Sequence, residues 1–362
     1  MRKRGIKVGL AILVLATLLG LSACESVGFY SQVVKGHSQI MLQREPINDV
    51  VKKASTDEEL RRKLSIIKRA RLFAIDTLKL PDNGSYTQYV DTGRPYVVWN
   101  VVATRPYSIQ PIEHCFPVAG CVSYRGYFKK AAAEAYSEKL KTKGYDVIIS
   151  GASAYSTLGW FSDPVLNTML YRSDLSLAGL VFHELSHQEV YKAGDTAFNE
   201  SFATTVELAG VRAWAATEIK QHDLTQYKAA KSRSAEVVKL ILEHRNKIGA
   251  AYRKIDPKNT EKLAEVKKQG FAELRAAYKK LRANGGGSKG YDRWFEKPIN
   301  NASLVLFGDY HGWVSAFDVL LEQADGDWKR FYQSVADLAD LDKSARRKKL
   351  MDLQAKAQGA AQ

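Results

Sequence analysis

Apolar and polar positions along the chain change period several times. Ser55 to Glu59 reads as a helix cap with acids in the first turn. Leu60, Leu64, Ile67, Arg71 and Ile75 then follow at helical spacing until Pro81 to Ser85 breaks the pattern. Tyr96 to Ala103 is β-branched and aromatic and predicts a strand. Lys129 to Lys143 predicts an alanine-rich helix closed by Gly144, and Tyr145 to Gly151 a second strand. Leu177, Ala178, Leu180, Val181, Phe182 and Leu185 surround most of a helix with apolar side chains, which predicts a buried helix starting near Ser173 or Ser176 and ending by Gly194. Another helix is expected from Asp195 or Thr196 to beyond Trp214.

The second half is helical throughout. Residues 225–284 predict a long basic helical hairpin turning at Asp256 to Asn259. One apolar stripe runs through Val238, Ile241 and Ile248, the other through Leu263, Phe271, Leu274 and Tyr278. The glycines from Gly285 to Gly290 read as a hinge. Tyr291 to Leu341 is aromatic and helical. The expected class is therefore α+β and predominantly helical, with a small β-sheet beside the buried helix. Residues 46–342 are expected to form a single domain, with a tether at 24–45 and a frayed tail at 343–362.

The buried helix carries the candidate chemistry. Val181 to Gln188 contains H-E-x-x-H: His183 and His187 at i and i+4 share one face, and Glu184 lies between them. Burying two imidazoles and a carboxylate is costly unless they pair or bind metal. The arrangement predicts two ligands to one Zn²⁺ ion, with Glu184 as general base. On the next helix Glu200 and Glu207 share a face. A tight turn would set Glu200 opposite the histidines as third ligand. Glu207 is the alternative ligand, or an acceptor for an imidazole N–H, and Asp195 is a further acceptor or a helix cap. An oxyanion donor is also needed; Tyr155, Tyr310 and His311 are candidates, with Tyr310 favoured for its place near Asn300 and Asn301. The strand run Tyr155, Ser156, Thr157, Leu158, Gly159 is a candidate substrate-binding edge. Glu113 and Asp163 are candidates for holding a substrate amine.

Charge and cysteines set the compartment. The formal net charge is +15, much of it in residues 220–284. Arg2, Lys3, Arg4 and Lys7 precede an apolar run from Val8 to Leu21, so residues 1–23 read as a signal peptide. Leu21-Ser22-Ala23-Cys24 resembles the bacterial lipobox, which implies cleavage before Cys24, lipid attachment to it and a membrane as partner. An exported chain with no nucleic-acid motif excludes nucleic acid as a partner. In an oxidising compartment Cys115 and Cys121 are expected to close a small disulfide loop.

Several runs also resemble known families. Phe198 to Ala203 resembles the N-E-G-F-A run that carries the glutamate ligand in gluzincin aminopeptidases. More closely, Gly120 to Phe128, Ala154 to Phe161, the H-E-L-S-H-Q helix and Gly194 to Glu200 resemble a family of bacterial lipoproteins identified as predicted aminopeptidases. The resemblance implies a zinc-dependent peptidase acting on peptides at the cell envelope, on the periplasmic face of the outer or inner membrane. The competing reading is a metal-binding envelope lipoprotein that acts as a non-catalytic interaction module through the basic hairpin. An intact Glu184 argues against it, since a purely structural metal site has no use for that base. Oligomeric state is not encoded in any of these features.

Overall fold

A computed structural model describes residues 28–116, 120–154, 157, 161–218, 221–308 and 312–360. Cys24 and the segment expected to be a signal peptide lie outside the described residues. Among those described, no helix is long and apolar enough to cross a membrane.

The described residues open with helix α1 (residues 28–42), within the stretch 24–45 expected as a tether. Phe29 and Ile40 are buried, and Gln32 accepts from Phe128 N at 3.0 Å. Two apolar anchors and a backbone bond thus fix this stretch onto the domain. β1 (Glu45–Pro46) and α2 (Ile47–Lys52) lead into α3 (Glu58–Asp76). Asp57 caps α3 by accepting from Glu59 N at 2.9 Å and Leu60 N at 3.1 Å.

Three small sheets follow. β2 (Gln88–Val90) lies between β1 and β8 (Val165–Leu166), which brings the chain directly to the metal-motif helix. β3 (Val98–Thr104) is the centre of the second sheet, flanked by β6 (Arg125–Tyr127) and β7 (Asp146–Ala152), both antiparallel to it. β3 is buried on both faces because α4 (Lys130–Lys141) and a later helix cover them, which explains its nearly unbroken apolar run. The third is a hairpin of β4 (His114–Phe116) and β5 (Gly120–Val122), in which Cys115 sits opposite Cys121 and the two are disulfide-bonded.

The remaining elements are helices: α5 (Asp174–Glu189), α6 (Thr196–Glu218), α7 (Gln221–Arg253), α8 (Thr260–Ala283), α9 (Lys289–Glu296), α10 (Asn301–Gly308), α11 (Val314–Gln323), α12 (Trp328–Asp340) and α13 (Lys343–Ala360). The class is α+β and predominantly helical. α10 is the helix that backs β3 and β7.

α7 and α8 pair as the expected hairpin, with Val237, Ile241, Ile248, Leu263, Phe271 and Leu274 between them and the neighbouring α9 and α10. The tail expected to fray is the helix α13. Its Leu350 and Leu353 are buried, and Arg346, 3% exposed, pairs with Asp195 at 2.8 Å. Leu350 and Leu353 anchor a segment whose sequence is otherwise mostly charge and alanine.

Candidate metal and catalytic centre

The site stands on α5 and α6, which pack side by side through a large aromatic and aliphatic core. Phe182, Phe198, Phe202, Val206 and Trp214 are 0 to 1% exposed. Two glycines let the helices close up. A Cβ on Gly210 would lie 2.7 Å from Leu78 and 2.8 Å from Phe182. One on Gly179 would lie 3.0 Å from both Glu207 Cγ and Val211. Gly194, with φ of 78°, supplies the left-handed residue in the turn between α5 and α6. Asn199 braces that turn: its Oδ1 accepts from Lys192 N at 2.7 Å and its Nδ2 donates to Lys192 O at 2.8 Å. Glu200 is therefore rigidly aimed at α5.

The result brings three candidate ligands together. His183 Nε2 lies 3.3 Å from Glu200 Oε2, and His187 Nε2 lies 3.7 Å from Glu200 Oε1. One ligand atom from each of these residues lies within 4.8 Å of the others, so the group could hold a metal ion. The donor set of two imidazoles and a carboxylate fits zinc, with coordination to spare for water or substrate. Burial adds to the fit: His187 is 7% exposed, and a buried imidazole is costly unless it is paired or bound.

Glu207 does not face the same point as Glu200. Its Oε2 approaches His183 Nδ1 at 3.5 Å, while Oε1 accepts from Tyr227 OH at 3.0 Å and Lys231 Nζ at 2.5 Å. It is thus an outer partner of His183, on the opposite side of the ring from Glu200.

Electrostatics follow from this packing. Burial disfavours charge on His183, but hydrogen bonds to Glu200 and Glu207 outweigh it and push the imidazole up to about 10. Burial and the neighbouring His183 push His187 down to about 4. Burial also raises Glu184 to about 7, into the range suited to a base near neutrality. Glu207 is held well below the usual carboxylate range: burial alone would raise it, but His183 and Lys231 prevail.

The other predicted residues divide. Asp163 is 1% exposed, and its carboxylate accepts from Thr157 N and Oγ1 and from Gln188 Nε2 at 3.2 Å. It is a clamp between Thr157 and the end of the motif helix. Glu113 is exposed in the coil before β4. Asp195 caps α6, accepting from Phe198 N at 3.2 Å, and gives its other oxygen to Arg346. Tyr155, Ser156, Leu158, Gly159, Tyr310 and His311 lie outside the described residues. Near the last two, Trp313 N donates to Ser201 Oγ at 3.1 Å, next to Glu200.

Sequence reasoning missed Tyr227, Lys231, Gln188 and Asn199. Gln188 is the residue after the second histidine, and it accepts from Asn83 Nδ2 at 2.6 Å as well as donating to Asp163. Tyr227 and Lys231 stand i and i+4 on α7, a spacing that was legible but hidden among many other basic residues.

A buried helix with two histidines and a glutamate, faced by a carboxylate from the following helix, defines a candidate metal site carried on an H-E-x-x-H motif. The chain belongs to the family described as "Putative aminopeptidase", whose model matches residues 28–350. No curated protein and no solved structure matches it.

Proposed function

We propose that the protein is a zinc-dependent aminopeptidase that hydrolyses peptides at the bacterial cell envelope, anchored through lipid on Cys24. The observation that carries the catalytic part is the convergence of His183 Nε2, His187 Nε2 and the Glu200 carboxylate beside Glu184. His183, His187 and Glu200 would hold one zinc ion. A bound zinc supplies Lewis acidity toward the scissile carbonyl and makes water a better nucleophile near neutral pH. Glu184 takes a proton from the attacking water on its carboxylate oxygen. The C–N bond then breaks and Glu184 returns the proton to the leaving amine.

The hydroxyl of Tyr310 is the proposed donor to the developing oxyanion. In support, the chain three residues later is tied to Ser201, beside Glu200. The run from Tyr155 to Gly159 is the proposed edge for the substrate main chain. In support, Thr157 is tied through Asp163 to Gln188, the neighbour of His187. Export and lipidation rest on the amino-terminal pattern alone.

The test uses the full chain with a library of unblocked and amino-blocked peptides. Zinc-loaded protein should cleave the unblocked ones, and a chelator should abolish cleavage reversibly. Glu184→Gln should keep one zinc per chain and lose roughly 10²–10⁴-fold in kcat. Zinc bound without cleavage of any peptide would favour the non-catalytic reading. Cleavage of blocked peptides would make the enzyme an endopeptidase.

A further inference from the structure

The strongest cluster outside the ligand set joins the metal helices to the basic hairpin. Glu207 comes from α6; Tyr227 and Lys231 come from α7, one turn apart on the same face. Both donate to a single oxygen, Oε1, at 3.0 Å and 2.5 Å, and the lysine ammonium lies 5.4 Å from the centre of the Tyr227 ring. The second oxygen is left for His183 Nδ1, at 3.5 Å. The Glu207 side chain fills the space that a side chain at 179 would take: a Cβ there would lie 3.0 Å from Glu207 Cγ and 3.3 Å from Oε1. Most lysines of the hairpin, Lys228 and Lys239 among them, are exposed; Lys231 is half-buried over a carboxylate that is itself 13% exposed. A hairpin that served only as a solvated basic surface has no reason to aim a phenol and an ammonium at one inward oxygen.

We propose that Tyr227 and Lys231 are positioning residues of the metal centre, so that the helical hairpin is an integral part of that centre rather than a separate module. By fixing Oε1 they hold Oε2 toward His183 Nδ1. The proton of the neutral imidazole then sits on Nδ1, and the Nε2 lone pair faces Glu200 and the metal position. Lys231 also offsets the negative charge of Glu207 close to Glu200 and Glu184. Without the pair, the carboxylate could rotate, and ring and tautomer of His183 would no longer be fixed. This inference rests on the zinc reading above.

The test measures zinc affinity of the purified full chain by competition with a chromophoric chelator, and the visible absorption of the cobalt-substituted protein. The variants are Tyr227→Phe, Lys231→Met and the two combined, with Glu207→Gln for comparison. Lys239→Met controls for loss of hairpin charge, and Lys231→Arg for retention of the donor. The double variant is expected to weaken zinc roughly 10–100-fold, close to Glu207→Gln, and to shift the cobalt bands. Lys231→Arg and Lys239→Met should stay near the unaltered protein. Tyr227→Phe keeps the ring, removes one hydroxyl and should show a smaller shift in the same direction even if Lys231→Met folds poorly. Unchanged affinity and cobalt spectrum in the double variant, or an equal loss in Lys239→Met, would overturn the inference while leaving the zinc reading intact. Failure of the unaltered chain to bind either metal would overturn both.

Discussion

At the scale of single residues, the site is a contest for one proton. Glu200 and Glu207 flank His183 and hold its imidazole up to about 10, well above the ordinary histidine value. A group raised in this way keeps its proton below the raised value and gives it up as pH climbs toward it. A zinc ion held by Nε2 would have to displace that proton. Zinc affinity is therefore expected to rise steadily from pH 6 to pH 9, with proton release on binding; calorimetry in buffers of different ionisation enthalpy measures both. Affinity independent of pH over that range would contradict the flanking role of the two carboxylates. Glu207→Gln should flatten the dependence, because one of the two groups that stabilise the proton is gone. The two histidines that meet Glu200 were legible residue by residue, because H-E-x-x-H fixes side-chain geometry within one helix. The division of labour between Glu200 and Glu207 was not, because both lie on the same face of α6 and only the packing of α5 and α7 separates their targets.

At the scale of elements, the α5–α6 pair decides whether the ligands meet. Gly210 lets Phe182 sit against α6, and Phe182 precedes His183 directly. Alanine at 210 would gain up to about 1 kcal/mol in helix propensity but would force the fully buried Phe182 ring aside, at about 1–3 kcal/mol. Gly210→Ala is expected to be net destabilising, and to weaken zinc binding as well because the α5–α6 spacing changes. Urea unfolding with chelator present gives the first effect and chelator competition the second. Equal or greater stability with unchanged zinc affinity would show that the close approach is incidental. The sequence pattern marked both helices and the turn between them. It could not mark the glycine contacts, which depend on which faces the helices turn to each other. The same applies to the strands: β-branched and aromatic composition predicted β3 and β7, whereas β1, β2 and β8 are two or three residues long and too short for such a signal to show.

At the scale of the whole molecule, segments far apart in sequence close around the motif. α1 enters beside the sheets, and α13 returns to the start of α6 through Arg346 and Asp195. Arg346 also donates to Leu341 O at 2.7 Å, so its guanidinium is fully engaged at 3% exposure. Arg346→Ala would leave Asp195 partly buried without its cation. It is expected to cost roughly 3–5 kcal/mol in urea unfolding. It should also loosen the α5–α6 turn, visible as faster amide exchange near Gly194. A loss below about 1 kcal/mol would mean that α13 is only loosely attached.

By itself the sequence determined the helical class, the hairpin and the motif with its nearby glutamate, all of which are local: they rest on periods of two or three to four residues and on spacings within one turn. Tertiary structure decided which glutamate faces both histidines, that Asp163 joins Thr157 to Gln188, that residues 28–42 and α13 are packed helices, and that Tyr227 and Lys231 reach Glu207 on the outer side of His183. Each of these depends on the relative placement of elements many residues apart. That placement follows from the burial of faces against one another, for which no single stretch of the chain carries a signature.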